Sequence, residues 1–533
     1  MGRATASVPG VRCGRASAVL LVVLLLLGLG VPAQASGSSA LPAVEPVTSS
    51  AGFTHPGVFV GLSELTASKA HVRAGDAPWI TIFRQLTDST VIRRGAPDFA
   101  SFAAASVYPS TVAEHYENSR CSSDESTGCI TYCGSFNNPD VGCSDELADA
   151  RAVYGQALMY WYTDDRSYAQ RAIAILNAYA EHFAGNHGSN GPLMTAWIAE
   201  MMIRGAELIR YTYTPAAGEV AFDVTGFSTM LRDVFVARLQ VFSWADVNGN
   251  WSGSAADGLM NAGVFLDDRA IYEEGVALWR ARVPTYLYLS SDGALPVAPP
   301  GSTEFGTDTA QKRINLACWW LNDKADSCRL TPREDPGPLH LQNGQSQESC
   351  RDFGHVSLGI AGMVSAAETA YLQGDDLYGE EQHRIMTGIS YLVQVEQHWR
   401  KHHAWPRGFC KDVSGLVATG LTTPDFQAEV AYNAYAVRAG VAFRTIVIPG
   451  YSDTYPNGDP LAAYIALKQT DRNVEGFIDA WDTLTHHAVP TGAAVKGERS
   501  GVPLIRYYPV IFVALGLVVI AAIALVVRRL RRR

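Results

Sequence analysis

The chain carries no cofactor fingerprint and no convincing metal cluster, so the expected cofactor and metal content is none. The glycine-rich stretch 185–191 lacks the strand-turn-helix context of a phosphate loop and reads as a linker between helices. Positive charge is in deficit: 42 Lys+Arg against 52 Asp+Glu give a net charge of −10, which argues against nucleic acid as a partner. That balance leaves room for an acidic polysaccharide, because a local Arg and His cluster reverses the sign of a cleft within an acidic protein. Strand-type alternation is scarce. No fixed-length repeat appears, which weakens a solenoid reading. Cys129 and Cys133 lack a His/Cys partner pair at close spacing, which weighs against zinc.

The two ends are informative. Arg3, Arg12 and Arg15 precede an apolar block from Ala18 to Val31, and Ala33-Gln-Ala35 supplies a small-x-small cleavage pattern, so residues 1–35 read as a secretory signal. Residues 36–52 form a small-residue linker and 486–506 a stalk. Tyr507 to Val527 is nearly all apolar and long enough to cross a hydrocarbon core of about 30 Å, and the basic tail 528–533 follows it. The expectation is a body (53–485) outside the cell on a single C-terminal anchor. Val489-Pro-Thr-Gly492 does not give the Leu-Pro-x-Thr-Gly of a wall-sorting signal.

Of nine cysteines, Cys13 lies in the removed segment, and the even remainder favours disulfides in an oxidising compartment. Connectivity is not legible in sequence. A local hypothesis pairs Cys318 with Cys328 and Cys350 with Cys410, the second bridge pinning the region around Arg407 against residues 348–355.

A composition of 47% hydrophobic and 18% charged residues supplies one large core. Apolar residues at threes and fours predict helices over Asp145–Thr163, Tyr168–Phe183, Pro192–Tyr213, Phe222–Trp244, Asp268–Tyr288, Phe353–Leu372, Leu377–Trp399 and Asp425–Phe443. Asp267-Asp268 opens one helix, Pro192 sits near the start of another, and Gly374-Asp-Asp376 separates two more. Short connections imply an all-α fold of antiparallel hairpins, stacked as a bundle, a solenoid or a closed α/α toroid; periodicity does not choose among them.

The segment Gln345-Ser-Gln-Glu348-Ser-Cys350-Arg351-Asp352-Phe-Gly354-His355 gathers an acid, a cation and a base. If it is helical, Glu348, Arg351 and His355 share one face at i, i+3 and i+7. The alternative is a helix entry with a solvated ion pair and a capping Asp352. Asn248-Gly-Asn250-Trp251-Ser252 interrupts the helical pattern with amides beside an indole, suited to sugar hydroxyls and the apolar sugar face. It also fits a turn leading into a helix N-cap with a core tryptophan. Asn250-Trp-Ser252 matches the glycosylation sequon, and a glycan there would block a site. Tyr432 is either a core helix aromatic or a proton donor.

Asn248-Gly-Asn-Trp251, Phe265-Leu-Asp-Asp-Arg269, Val283-Pro-Thr-Tyr-Leu-Tyr288, Arg351-Asp-Phe-Gly-His355 and Glu429-Val-Ala-Tyr-Asn433, in this order, resemble the alginate lyase-like family of polysaccharide lyases. Asn138–Glu146 and Trp197-Ile-Ala-Glu200 are similar to it too. The resemblance spans His55 to about Gly440. It implies an α/α toroid, often incomplete, acting on an anionic uronic-acid polymer by β-elimination. It implies Asn250 with Arg351 at the substrate carboxylate, His355 as base or neutraliser, and Tyr432 exchanging protons with C5 and O4. Glu348 would orient His355 or hydrogen-bond the carboxylate. Asn248, Trp251 and Arg407 are expected to bind substrate, Arg407 because a planar fork matches a neighbouring carboxylate. This chain departs from the family in having Ala434 after the Tyr-Asn pair and no His after Asn250. Two other classes stay open: a hydrolase pairing Glu348 or Asp352 with Asp257 or Glu429, and a membrane-tethered polysaccharide-binding protein without chemistry.

Overall fold

The computed structural model describes residues 44–87, 129–135, 137–244, 247, 249–300, 314–317, 319–320, 339–408, 410, 426–470 and 481–487. The expected signal segment, the membrane span at 507–527, the basic tail 528–533, Asn248 and the Cys318–Cys328 pair lie outside these residues. Among the described residues no helix is long and apolar enough to cross a membrane.

The helices are α1 (Leu62–Ala74), α2 (Trp79–Thr87), α3 (Cys143–Thr163), α4 (Arg166–His182), α5 (Gly191–Thr212), α6 (Val224–Met230), α7 (Ala237–Val241), α8 (Gly249–Phe265), α9 (Arg269–Tyr286), α10 (Phe353–Leu372), α11 (Leu377–Glu380), α12 (Gln382–His402), α13 (Ala428–Tyr432), α14 (Pro460–Thr470) and α15 (Asp482–His486). Most helices expected from periodicity are present with ends shifted by a few residues; the one over 377–399 is broken at Glu381 into α11 and α12, and the one over 425–443 is reduced to α13 and a π-helical stretch, Asn433–Arg438. The one expected over 222–244 is split, because a π-helical stretch, Leu231–Val236, joins α6 to α7. The expected caps are there as well. The Asp268 side chain accepts from Ala270 N and Ile271 N, and that of Asp376 from Gly379 N, each satisfying an amide that the helix itself leaves open.

Three inner helices run parallel, as their cross-contacts show. Gly253 meets Gly359 and Gly362, while Asn261 accepts from Thr369 Oγ1 at 2.8 Å, so α8 and α10 advance in step. Ala199 meets Gly258 and Arg210 bonds to Phe265 O at 2.6 Å, which aligns α5 with α8 in the same sense. α9 returns antiparallel: Tyr272 packs at Gly263 and Tyr286 at Gly249. A Cβ at Gly362 would lie 2.7 Å from Gly253 C, so glycine sets the approach of α8 to α10. α8 is buried on nearly every side, between α5, α9 and α10, which explains an apolar and small-residue composition all round.

The inner circuit closes. α3 packs on α5, α5 on α8, α8 on α10, α10 on α13, α13 on α15, α15 on α1, and α1 on α3. The closing contacts are specific: Trp161 Nε1 donates to Leu65 O at 2.9 Å, Thr483 Oγ1 to Glu429 at 3.2 Å, and Asn433 Nδ2 to His486 O at 2.7 Å. The protein is therefore an all-α toroid of inner and outer helices. His486, which the sequence reading put at the start of a stalk, is buried and bonds Phe59 O at 3.1 Å.

Two features correct the sequence reading. The first part of the expected linker 185–191 belongs to a strand, β7 (Phe183–His187), which pairs in parallel with β5 (Cys129–Ser135). On its other edge β5 pairs antiparallel with β6 (Asn138–Val141). Cys133 is not free for zinc, since it is bridged to Cys143 at the start of α3. Two-stranded ladders also precede α1: β1 (Val47–Thr48) with β2 (Thr54–His55), and β3 (Gly57–Val58) with β4 (Val60–Gly61).

Candidate functional site

Because α8 and α10 are parallel, their N-termini lie at one end of the toroid, and the expected acid, cation and base collect there. Of the two readings of 348–355, the backbone takes the helix entry capped by Asp352 and not a helix throughout. Residues 344–347 run instead along the end of α9, with Tyr288 N donating to Gln345 O at 2.9 Å and Gln347 N to Tyr286 O at 2.8 Å. The chain then turns through 348–352, and α10 begins only at Phe353. Asp352 sets that start: its side chain accepts from His355 N at 2.9 Å.

Glu348 is fully buried and is the hub of the site. Asn250 Nδ2 lies 2.6 Å from both Glu348 oxygens, Asn250 N donates at 3.3 Å, and an Arg351 nitrogen lies 3.3 Å from Oε1. Neighbouring Gln347 accepts from Gly249 N at 2.7 Å. The first amides of α8 thus point at Gln347 and Glu348, and the positive end of the helix dipole favours a carboxylate there. Asn250 sits in the first turn of α8, not in a loop. Its burial and its bonds to Glu348 leave no room for a glycan, and its Oδ1 has no partner among the described residues.

The Tyr286 ring fills the wedge between the two helix N-termini. A Cβ at Gly249 would come within 1.8 Å of this ring, and one at Gly359 within 2.3 Å, so both glycines are required for its seat. Its hydroxyl lies 3.1 Å from His355 O and 3.3 Å from Val356 O and Glu348 Oε2. Burial, then the Glu348 charge, push the Tyr286 phenol well above its usual range, so it is a donor.

Two groups of this cluster reach solvent: the Arg351 side chain is 24% exposed and that of His355 31%. His355 Nδ1 sits 2.7 Å from both oxygens of Asp352. Burial alone would raise the Asp352 carboxyl, but the bonds and charge of His355, with Arg351 beside them, hold it below the usual carboxylate range. An ionised Asp352 accepts the Nδ1 proton, so in the neutral form of the ring the lone pair is on Nε2, away from Asp352. The partner that orients His355 is therefore Asp352, which removes one of the two roles implied for Glu348; Glu348 orients Arg351 and Asn250.

The Cys350–Cys410 bridge is formed. It brings the 403–408 strand of chain to the site, where Trp405 stacks on Phe353 at 5.6 Å. Arg407 is exposed on this strap, fixed through its backbone: Arg407 N donates to Pro449 O at 2.8 Å and its carbonyl accepts from Gln342 at 3.4 Å. Trp251, half-buried on α8, stacks on Phe242 at 6.1 Å. Tyr432 ends α13, and no hydrogen bond joins it to the Glu348 cluster among the described residues. Burial, then the carboxylates of Asp459 and Glu429, raise its phenol, so it holds its proton at neutral pH. Asn248 lies outside the described residues.

The carboxylates that a hydrolase would recruit are spoken for. Asp257 is buried against Arg204 at 2.7 Å, and Glu429 is buried against Thr483 and His487. Two features of the site were not expected from the sequence, the seat of Tyr286 and the orienting role of Asp352. The first stood inside the Val283–Tyr288 phrase, and the i, i+3 spacing of Asp352 and His355 was a signal for the second.

No known family and no curated protein matches the chain. Solved structures similar to it include an alginate lyase from Bacteroides ovatus, at 11% identity and a TM-score of 0.40 over 66% of this chain and 86% of that one. They also include an alginate lyase from Sphingomonas species A1, at 13% identity and a TM-score of 0.41 over 73% and 91% of the two chains.

Proposed function

We propose that the protein is a lyase that cleaves a uronic-acid polysaccharide by β-elimination. The observation that carries this reading is the pair of half-exposed groups at the helix N-termini: Arg351 steadied by Glu348, and His355 steadied by an ionised Asp352. The C5 hydrogen of a uronate becomes removable once the adjacent carboxylate is neutralised and the developing enediolate has positive charge beside it. Arg351 supplies the charge, and the two helix N-termini add to it. His355 Nε2 takes the C5 proton; the C4–O4 bond breaks, a C4–C5 double bond forms, and O4 leaves with a proton. Tyr432, which keeps its proton at neutral pH, is assigned as the donor to O4 on resemblance alone. Asn250 acts behind Arg351 by holding Glu348, and Trp251, Asn248 and Arg407 bind flanking sugars.

The disulfides Cys133–Cys143 and Cys350–Cys410 suit an oxidising compartment. With the apolar stretch 507–527 and the basic tail behind it, they support a body held at the outer face of the membrane by a single C-terminal anchor.

Incubating the purified full-length protein with alginate, glucuronan and other polyuronates tests the reaction class. New ultraviolet absorbance from unsaturated ends supports elimination. New reducing ends without that absorbance select a hydrolase, and binding without either product selects a polysaccharide-binding protein.

A further inference from the structure

At the C-terminal end of α12, His398 and His402 stand one turn apart on the same face, and both rings address Asp453. His398 Nδ1 pairs with one Asp453 oxygen, and His402 Nε2 lies 3.1 Å from the other. One nitrogen from each ring and a carboxylate oxygen all lie within 4.8 Å of one another. Donors around a tetrahedral ion with bonds of about 2.05 Å sit roughly 3.3 Å apart, so small side-chain adjustments would seat a metal among these three atoms.

We propose that His398, His402 and Asp453 form a structural site for a divalent first-row transition ion of the zinc class, with water in the remaining position. Two imidazoles and one carboxylate suit such an ion and disfavour calcium or magnesium, which take oxygen donors. The site is pre-set: the His398 ring is stacked on Tyr451 at 3.5 Å, and the side chains of His398 and Asp453 are each only 10% exposed. Its outer side is open, because His402 is 42% exposed. The carbonyl end of α12 places negative dipole beside the ion. Lys401 occupies the cation's place from outside, 3.1 Å from Asp453 but 67% exposed, and is free to swing away when an ion enters.

The ion would act as a clasp. Asp453 lies on the segment whose Tyr451 hydroxyl bonds Ala404 O at 3.3 Å and whose Pro449 carbonyl accepts from Arg407 N at 2.8 Å. Fastening this segment to α12 fixes the strap that carries Trp405 and Arg407 toward the Cys350–Cys410 bridge. The inference stands on the cluster's geometry and is independent of the reaction proposed above.

Zinc binding to the chelator-stripped full-length protein, read by competition with a chromophoric chelator and by thermal melting, tests it. One zinc per chain is expected, with a rise in melting temperature that a chelator reverses. His402→Ala, at an exposed position, and Asp453→Asn should each weaken binding by roughly ten-fold or more and abolish the rise. Lys401→Ala should bind zinc at least as tightly as the parent. Absence of stoichiometric zinc, or binding indifferent to both ligand variants, would reduce the cluster to a His-Asp ion pair and overturn the proposal.

Discussion

Glu348 tolerates complete burial because each of its neighbours answers its charge: the Asn250 amide, an α8 backbone N–H, the Tyr286 hydroxyl and the Arg351 guanidinium. Asp352 is the complementary case, a half-exposed carboxylate that caps α10 and holds His355. Asp352→Asn keeps the size of the cap but presents no charge to Nδ1. It should cost at most about 1 kcal/mol of stability and lower turnover by roughly 10²-fold or more, with KM little changed. Its depressed carboxyl contributes stability that is fully present above the unfolded value of about 3.9 and is lost as pH falls through the lower folded value. The variant should flatten that acid limb in melts recorded from pH 5 to pH 2; an unchanged limb would exclude the assignment. Glu348, Arg351 and His355 were legible in sequence because unlike charges gathered ahead of an apolar run. Tyr286 was not: its role depends on Gly249 and Gly359, more than thirty residues to one side and seventy to the other, both lacking a Cβ where the ring lies.

Among the elements, α10 began where periodicity put it, but the acid and the cation fell before it, in a turn. The i, i+3, i+7 reading met this because the backbone of 344–347 is paired along the end of α9 and Asp352 takes the N-cap. The Glu348–Arg351 contact formed as the spacing implied, but His355 paired with Asp352, and the backbone beneath the first two is a turn. The 60-residue loop closed by Cys350–Cys410 ties the site to the Arg407 strap. A double variant, Cys350→Ser with Cys410→Ser, should lose about 2–4 kcal/mol in chemical denaturation and raise KM more than it lowers kcat. Equal stability would show that the bridge constrains nothing. In α12, Glu396 is buried with one oxygen lacking a partner, and burial outweighs Arg400 and Lys468 to push its carboxyl up to about 7. A raised carboxyl contributes stability below its unfolded value of about 4.3 that is lost as pH rises through about 7. Glu396→Gln should therefore gain over the parent in melting temperature between pH 5 and pH 8, whereas a pH-independent difference would contradict the burial argument.

At the scale of the whole molecule, the run of long helices was legible because each carries enough turns for its apolar period to register. Closure of the circuit was not, since it depends on α1, α13 and α15, which are short or mixed in polarity and are held by pairs such as Trp161 with Leu65 and Asn433 with His486. Bundle, solenoid and toroid predict the same periodicity; cross-contacts at Gly253, Asn261 and Arg210 separate them. Parallel inner helices have a chemical consequence, because they bring positive dipole ends to one face of an acidic protein, where Arg351 and His355 also emerge. In the proposed reaction His355 removes a hydrogen beside a carboxylate neutralised at that face. Ultraviolet absorbance of unsaturated uronate ends, followed for the parent and for a folded His355→Ala variant on the same polyuronate, tests this most directly. Steady product is expected from the parent and at least a roughly 10²-fold loss in the variant; equal rates would remove His355 from the reaction.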